Sequence, residues 1–404
     1  MPLKQFFQLY KKYIFAIGII ILILCCIYTF SLSSDKRLKS EYNKILLDLQ
    51  GSDNSDKDSL TACKKMLELA EKDYTPAQRF VGEYYKNNGN FAQFEYWLTK
   101  AAEQGDTIAT FNLGLYYEYV QDFSKAVFLY QKAAEQGYTL AQNNLGVCYE
   151  NGIGIQQDFS KAIYWYNKAA EQGDEMAQVN LGNCYYNGNG VEQNLSKAFY
   201  WYTKAAEQGW AKAQTILGRC YEQGKCVAQD YKKMIYWYTK AAEQGWVDAQ
   251  TLLGNCYYYG TGVEKDYSKA VYWYTKAAKQ GDEMAQHRLG LCYYEGNGVQ
   301  QNYSKTIYWY TKSAEKGWAP SQNELGNFYY NGINVQKDFS KAVYWYSKAA
   351  EQGFPTAQYN LGTCYLFGTG VLQDYSKAIY WCTKAANQGD ENAINLLNEI
   401  ENVR

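Results

Sequence analysis

The sequence holds 404 residues and a single histidine, His287. His287 has no companions in the pattern that a Ser/His/Asp or Cys/His nucleophile or a histidine-based zinc site needs, so these chemistries are excluded. It reads as a surface residue. A charge bias is also missing. Lys and Arg total 40 against 41 Asp and Glu, a net charge of −1, and no long basic stripe stands out. Nucleic acid is therefore not an expected partner. Paired cysteines are missing as well. Of 11 Cys, Cys25 and Cys26 sit in an apolar run, while Cys148, Cys184, Cys220, Cys256, Cys292 and Cys364 hold one recurring position. Packed helices lie ~10 Å apart, and a disulfide needs Cα atoms within about 7 Å. The recurring cysteines read as small buried apolar residues, and an unpaired set favours a reducing compartment. Cys220 and Cys226 lack two further ligands for a metal. No catalytic residue, cofactor or metal is expected, and the chain does not read as an enzyme.

What is abundant is a repeated phrase. Gly137, Gly173, Gly209, Gly245, Gly281, Gly317, Gly353 and Gly389 are spaced by 36 residues, and most close a version of S-K-A-x-Y-W-Y-T-K-A-A-E-Q-G. A period of this size signals a solenoid, in which one supersecondary unit stacks on copies of itself. Such a molecule offers a long binding surface more readily than one catalytic pocket. The 43 Tyr and 11 Trp are read first as core. Eight Trp share one repeat position: Trp97, Trp165, Trp201, Trp237, Trp273, Trp309, Trp345 and Trp381.

Residues 174–209 show the unit. Ala177, Leu181, Cys184 and Tyr185 fall on one face of a first helix. Gly188 and Gly190 then let the chain reverse through positive φ. Asn194, or Asp158, Asp230, Asp266 and Asp338 in other copies, can cap a second helix. There Ala198, Trp201, Tyr202, Ala205 and Ala206 form a broad apolar face. Neither helix can bury its face alone, so stacking must supply the core. The expected fold is all-α: a right-handed α/α superhelical solenoid of about nine antiparallel helix pairs, preceded by one transmembrane helix. Seven pairs are full length, from 138 to 389. Two, 74–105 and 106–137, have 32 residues and lack the Gly-x-Gly loop. Residues 59–73 imitate a second helix with Lys65 in place of Trp, and 390–404 imitate a first helix; both read as caps.

Ahead of the repeats lies a short basic tail, 1–12, with Lys4, Lys11 and Lys12. Residues 13–34 carry no charge and are long enough, at ~1.5 Å per residue, to cross a ~30 Å hydrocarbon core. The first reading is an uncleaved signal-anchor with the solenoid outside the cytoplasm, periplasmic or extracellular. Two alternatives stay open: a cleaved signal peptide with a secreted or periplasmic product, and a cytoplasm-facing solenoid. Lys36, Arg37, Lys39 and Lys44 after the run weaken the charge asymmetry. Residues 35–58 read as a polar linker, with Ile45, Leu46 and Leu49 on a short amphipathic helix.

The repeat resembles the Sel-one-like repeat family, a relative of the tetratricopeptide repeat. The residues that carry the resemblance are Ala249, Leu253-Gly254-Asn255-Cys256-Tyr257, Gly260-Thr261-Gly262-Val263, Asp266, Ala270, Trp273 and Ala277-Ala278-Lys279-Gln280-Gly281. It covers roughly 74–389. The resemblance implies an α-solenoid that scaffolds protein complexes, with a structural motif that brings no catalytic residue. Some members staple each helix pair with paired Cys; Ala206 stands at the closing position here, so no staple is expected. Cys226 and Asn334 replace the second loop glycine, and only Asn tolerates that geometry well.

By the same resemblance, the first helix of each pair lines a concave groove. The residues left off its core face differ between copies: Asn143, Met176, Asn183, Tyr186, Lys212, Arg219, Glu222, Asp248, Asn255, Tyr258, Met284, His287, Asn323, Asn327, Tyr330 and Tyr359. Asn amides can hold a peptide backbone, and Tyr and Met offer adaptable apolar contact. The copy at 210–245 adds a basic spot of Lys212, Arg219, Lys225, Lys232 and Lys233, suited to an acidic segment. The expected function is a membrane-anchored scaffold for a protein or peptide partner. The alternative is an extracytoplasmic binder of glycan or peptidoglycan fragments through stacked tyrosines. Asn194-Leu195-Ser196 and Asn302-Tyr303-Ser304 fit a glycosylation pattern but read as helix caps.

Overall fold

A computed structural model describes residues 35–47 and 56–402. The described residues form 21 helices and no strand. They divide into two compact units, Met1–Ala177 and Gln178–Arg404. In the first, α1 (35–47) and α2 (Asp56–Glu71) precede the pairs α3 (Thr75–Asn87) with α4 (Phe91–Glu103), α5 (Thr107–Tyr119) with α6 (Phe123–Glu135), and α7 (Thr139–Asn151) with α8 (Phe159–Glu171). The start of α9 (Glu175–Asn187) belongs there too. The second unit holds the rest of α9 with α10 (Leu195–Glu207), α11 (Ala211–Gln223) with α12 (Tyr231–Glu243), and α13 (Val247–Tyr259) with α14 (Tyr267–Lys279). It continues through α15 (Glu283–Glu295), α16 (Tyr303–Glu315), α17 (Ala319–Asn331), α18 (Phe339–Glu351), α19 (Pro355–Phe367), α20 (Tyr375–Ala386) and the final α21 (Glu391–Asn402). That makes nine helix pairs among the described residues.

Part of the expected linker is a docked helix. Leu38, Tyr42 and Ile45 are spaced to share one face of α1. Ile45 is buried in a cluster with Met66, Leu69, Tyr74 and Val81, and the Tyr42 ring meets Tyr74 edge-on at 5.5 Å. Residues 48–55, including Leu49, lie outside the described residues. So does the uncharged run 13–34 expected as a signal-anchor. No helix among the described residues is long and apolar enough to cross a membrane.

Close approach explains the small residues of the first helices. A Cβ on Gly218, Gly254 or Gly326 would lie 2.4 to 2.6 Å from the ring of Tyr238, Tyr274 or Tyr346. The second Tyr of each Y-W-Y therefore lies flat on the backbone of its partner helix. It is the deepest aromatic of the repeat: Tyr238 and Tyr274 are wholly buried. Each second helix starts on an Asp or Asn whose side chain accepts an N–H three residues on, as Asp158 does from Lys161 and Asn194 from Lys197. Asn302 does the same for Lys305, so both glycosylation-like sites serve as caps.

The two loop glycines have different reasons to be glycine. The first, such as Gly260 at φ +78°, ends the helix in the left-handed region. The second is pressed on the preceding repeat: a Cβ on Gly298 would lie 2.3 Å from the Tyr267 carbonyl oxygen. Asn334 keeps the left-handed backbone, at φ 54°, and donates to Ser304 Oγ at 3.0 Å. Cys226 does not have positive φ; its loop takes another path and packs the thiol against the core of the second unit.

A pair of glutamines clasps successive repeats. Gln214 donates to the Ala206 carbonyl of the preceding repeat at 3.2 Å and accepts from Gln244 of its own second helix at 2.8 Å. Gln250 repeats the pattern with Ala242 and Gln280, as does Gln142 with Ala134 and Gln172 in the first unit. The buried carbonyl at the end of each second helix is thereby satisfied across the joint.

Candidate functional site

The first helices of the pairs carry residues that repeat inward and change outward. Ala213, Leu217 and Cys220 are buried, as are Ala249, Leu253 and Cys256 one copy later. Beside each buried alanine stands an outward residue that changes class: Met176 next to Ala177, Lys212 next to Ala213, Asp248 next to Ala249. Met176 is 43% exposed, and Lys212 and Asp248 are exposed too. Arg219 is exposed two turns further along α11. Of the sixteen residues expected to face a partner, these four are exposed.

Others are held inside the repeat. Asn143 and Asn323 are buried. Asn183, Asn255 and Asn327 each accept from the buried tyrosine of their own pair: Tyr202 at 2.8 Å, Tyr274 at 2.7 Å and Tyr346 at 2.8 Å. Glu222 does the same for Tyr238 at 2.7 Å. These polar groups satisfy phenol hydroxyls that packing on glycine has buried. Tyr258 is half-buried and donates to Glu295 at 2.8 Å, and Tyr330 packs against Phe339 and Tyr346. Met284 and Tyr359 are partly buried.

His287 is not the surface residue the sequence suggested. Its ring stacks on Tyr310 with centroids 5.2 Å apart, and Nδ1 lies 2.9 Å from Ser321 Oγ. Ser321 donates to Ser313, which donates to the Glu283 carbonyl. Burial, reinforced by Arg288, lowers the His287 pKa to about 4. Both serines stand where other copies have alanine, such as Ala277 and Ala285. The joint between the histidine's copy and the next thus carries a hydroxyl network to receive it.

In the copy at 210–245, two of the basic side chains have partners of their own. Lys225 reaches back to Tyr186, 3.0 Å from its hydroxyl and 4.6 Å from its ring centroid. Lys233 pairs with Asp230 at 3.8 Å. All five side chains remain exposed, and Lys212, Arg219 and Lys232 make neither of these contacts.

A second outward feature was not anticipated from the aromatic content. The Tyr before the recurring Trp points to solvent: Tyr164 in the first unit, and Tyr200, Tyr236, Tyr272, Tyr308, Tyr344 and, in the variant Y-W-C, Tyr380 in the second, are all about half exposed. Each rests edge-on against the following Trp, Tyr272 on Trp273 at 4.9 Å, with Lys276 4.7 Å above the ring. Only Trp97 and Trp165 of the recurring Trp are buried. Neighbours along a helix point about 100° apart, so three consecutive aromatics cannot all face the core; that signal was available in the sequence.

Cys148, Cys256, Cys292 and Cys364 are buried thiols whose pKa values burial raises to about 11 or 12. They are therefore poor nucleophiles. Among the described residues, no three His, Cys, Asp or Glu side chains gather as a metal site.

Comparison with known proteins agrees with this architecture. The Sel1 repeat model matches residues 95–106, 107–138, 139–174, 175–210, 211–246, 247–282, 283–318, 319–354 and 355–390. Among solved structures, the chain is similar to c5321, a protective antigen of uropathogenic Escherichia coli strains with an SLR fold. The two share 35% identity over 84% of this chain and 82% of that one, with a TM-score of 0.64. A Sel1 repeat protein from Oxalobacter formigenes is 33% identical over 76% of this chain and 90% of its own, with a TM-score of 0.60. No curated protein matches the sequence. With matches running over most of its length, the chain belongs to the Sel1 repeat family.

Proposed function

We propose that the protein is a non-enzymatic scaffold that gathers protein partners through the copy-specific outward residues of its first helices. One observation carries this reading: at a fixed register beside a buried alanine, the exposed residue changes from Met176 to Lys212 to Asp248. Packing does not require that change, and a surface that distinguishes partners does. In this reading residues 13–34 anchor the chain in a membrane, as their uncharged run suggests. Reporter fusions on either side of the run test the anchoring and its orientation.

A second reading, glycan binding, draws on the half-exposed tyrosine row from Tyr200 to Tyr380. Incubating the full chain with lysate and, separately, with cell-wall fragments divides the two. The scaffold reading expects retained proteins and no retained glycan; retention of glycan alone contradicts it.

A further inference from the structure

In the first unit, two neighbouring junctions differ by one loop. At α6, the following repeat sends its Gly-x-Gly loop back onto the start of the helix. A Cβ on Gly154 would lie 2.4 Å from the Phe123 carbonyl oxygen and 2.9 Å from Phe123 Cβ. In the second unit the aliphatic residue after the second glycine packs inward too, Val299 lying against the cluster of Tyr274 and Leu289. The loop is thus a regular part of the interface between adjoining repeats.

At α4 that part is missing. Phe91 opens α4 as Phe123 opens α6, but the repeat that follows has 32 residues and turns through Val120 and Gln121 alone. The seat is an open cleft of ≈ 430 Å³ lined by Lys86, Asn87, Phe91, Leu115, Tyr116 and Tyr119. Its aromatic wall is ordered by stacking: Phe91 lies 6.0 Å from Tyr116 at 17° and 6.4 Å from Tyr119 at 28°. Tyr119 is nevertheless 76% exposed. Asn151 holds that place in the next copy, where the loop is present. Tyr259 and Phe367 hold it, also exposed, in later copies that keep the loop, so the open cleft beside Phe91, and not the aromatic itself, marks the missing loop.

We infer that this cleft docks a glycine turn followed by a β-branched aliphatic residue, presented by a partner protein. The occupant follows from continuity with the inter-repeat interface, which at the next junction is filled by Gly152-Ile153-Gly154-Ile155. Glycine lets the backbone reach the first turn of α4, and the aliphatic side chain covers the aromatic wall. The inference rests on the scaffold reading and supplies the chemistry of one partner segment.

The test uses the full chain and a fluorescein-labelled cyclic peptide carrying the protein's own loop, Gly-Ile-Gly-Ile-Gln-Gln-Asp, read by fluorescence anisotropy. Saturable binding is expected, weakened roughly tenfold or more by Tyr119→Asn with Leu115→Lys, both exposed positions. Replacing Val120 and Gln121 by the loop of the next copy is expected to abolish binding, with the helical circular dichroism kept, because the chain then fills its own seat. Absence of peptide binding to the wild-type chain, or binding unmoved by both variants, overturns the inference. If partners that depend on Lys212 and Asp248 are still captured in that case, the cleft assignment fails alone and the scaffold reading stands.

Discussion

Gln286 Oε1 is buried without a hydrogen-bond partner because Lys316 stands where other repeats place the glutamine that would donate to it. The Lys316 ammonium instead donates to the Gly281 carbonyl at 2.6 Å. The clasp between repeats is therefore half made at this joint. Lys316→Gln is expected to complete it and stabilise the chain by about 1 kcal/mol, the net value of one buried hydrogen bond. The midpoint of urea unfolding should rise; an unchanged or lower midpoint contradicts the clasp.

Gly254 and Gly317 separate two reasons for glycine. A Cβ on Gly254 would press into the Tyr274 ring at 2.6 Å, while one on Gly317 would meet nothing within 4 Å. Gly254→Ala should cost about 1–3 kcal/mol through overpacking. Gly317→Ala, at φ +99°, should cost about 1–3 kcal/mol through backbone strain alone. In thermal unfolding, the loss from Gly254→Ala, and not that from Gly317→Ala, should shrink in a Tyr274→Leu background; a Gly254→Ala loss that does not shrink would contradict the ring-on-backbone packing.

His287 predicts an acid weakness. Its pKa falls from 6.5 to about 4 in the fold, so the unfolded state binds the proton first. The stability its neutral ring contributes is complete above about pH 6.5. It is lost as pH falls toward 4, by on the order of 3 kcal/mol. His287→Thr, the residue type of Thr215 and Thr251 in other copies, should flatten that slope. A variant that loses stability as steeply as the wild type between pH 6.5 and 4 contradicts the assignment.

The helix pairs could be read in the sequence because period and capping agree: the 36-residue spacing, the glycine breaks and the Asp or Asn caps all mark the same boundaries. The outward face was less legible. Asn183 looks free in the sequence, but its partner Tyr202 lies 19 residues away on the facing helix. The glutamine clasp joins residues 30 apart. Such pairings follow from how two helices meet, which periodicity does not specify. The docking of α1 was written in the spacing of Leu38, Tyr42 and Ile45, but the charges around them made the segment read as a linker.

The copy-specific surface is tested most directly by partner capture with one variant of the full chain. The variant combines Met176→Ser, Lys212→Glu, Arg219→Glu and Asp248→Lys, four exposed positions whose replacement should leave the helical circular dichroism unchanged. Proteins cross-linked to the wild-type chain would be compared with those cross-linked to the variant by mass spectrometry. Loss of wild-type partners from a folded variant is the predicted result. The same partners, held to the same extent, would contradict the account.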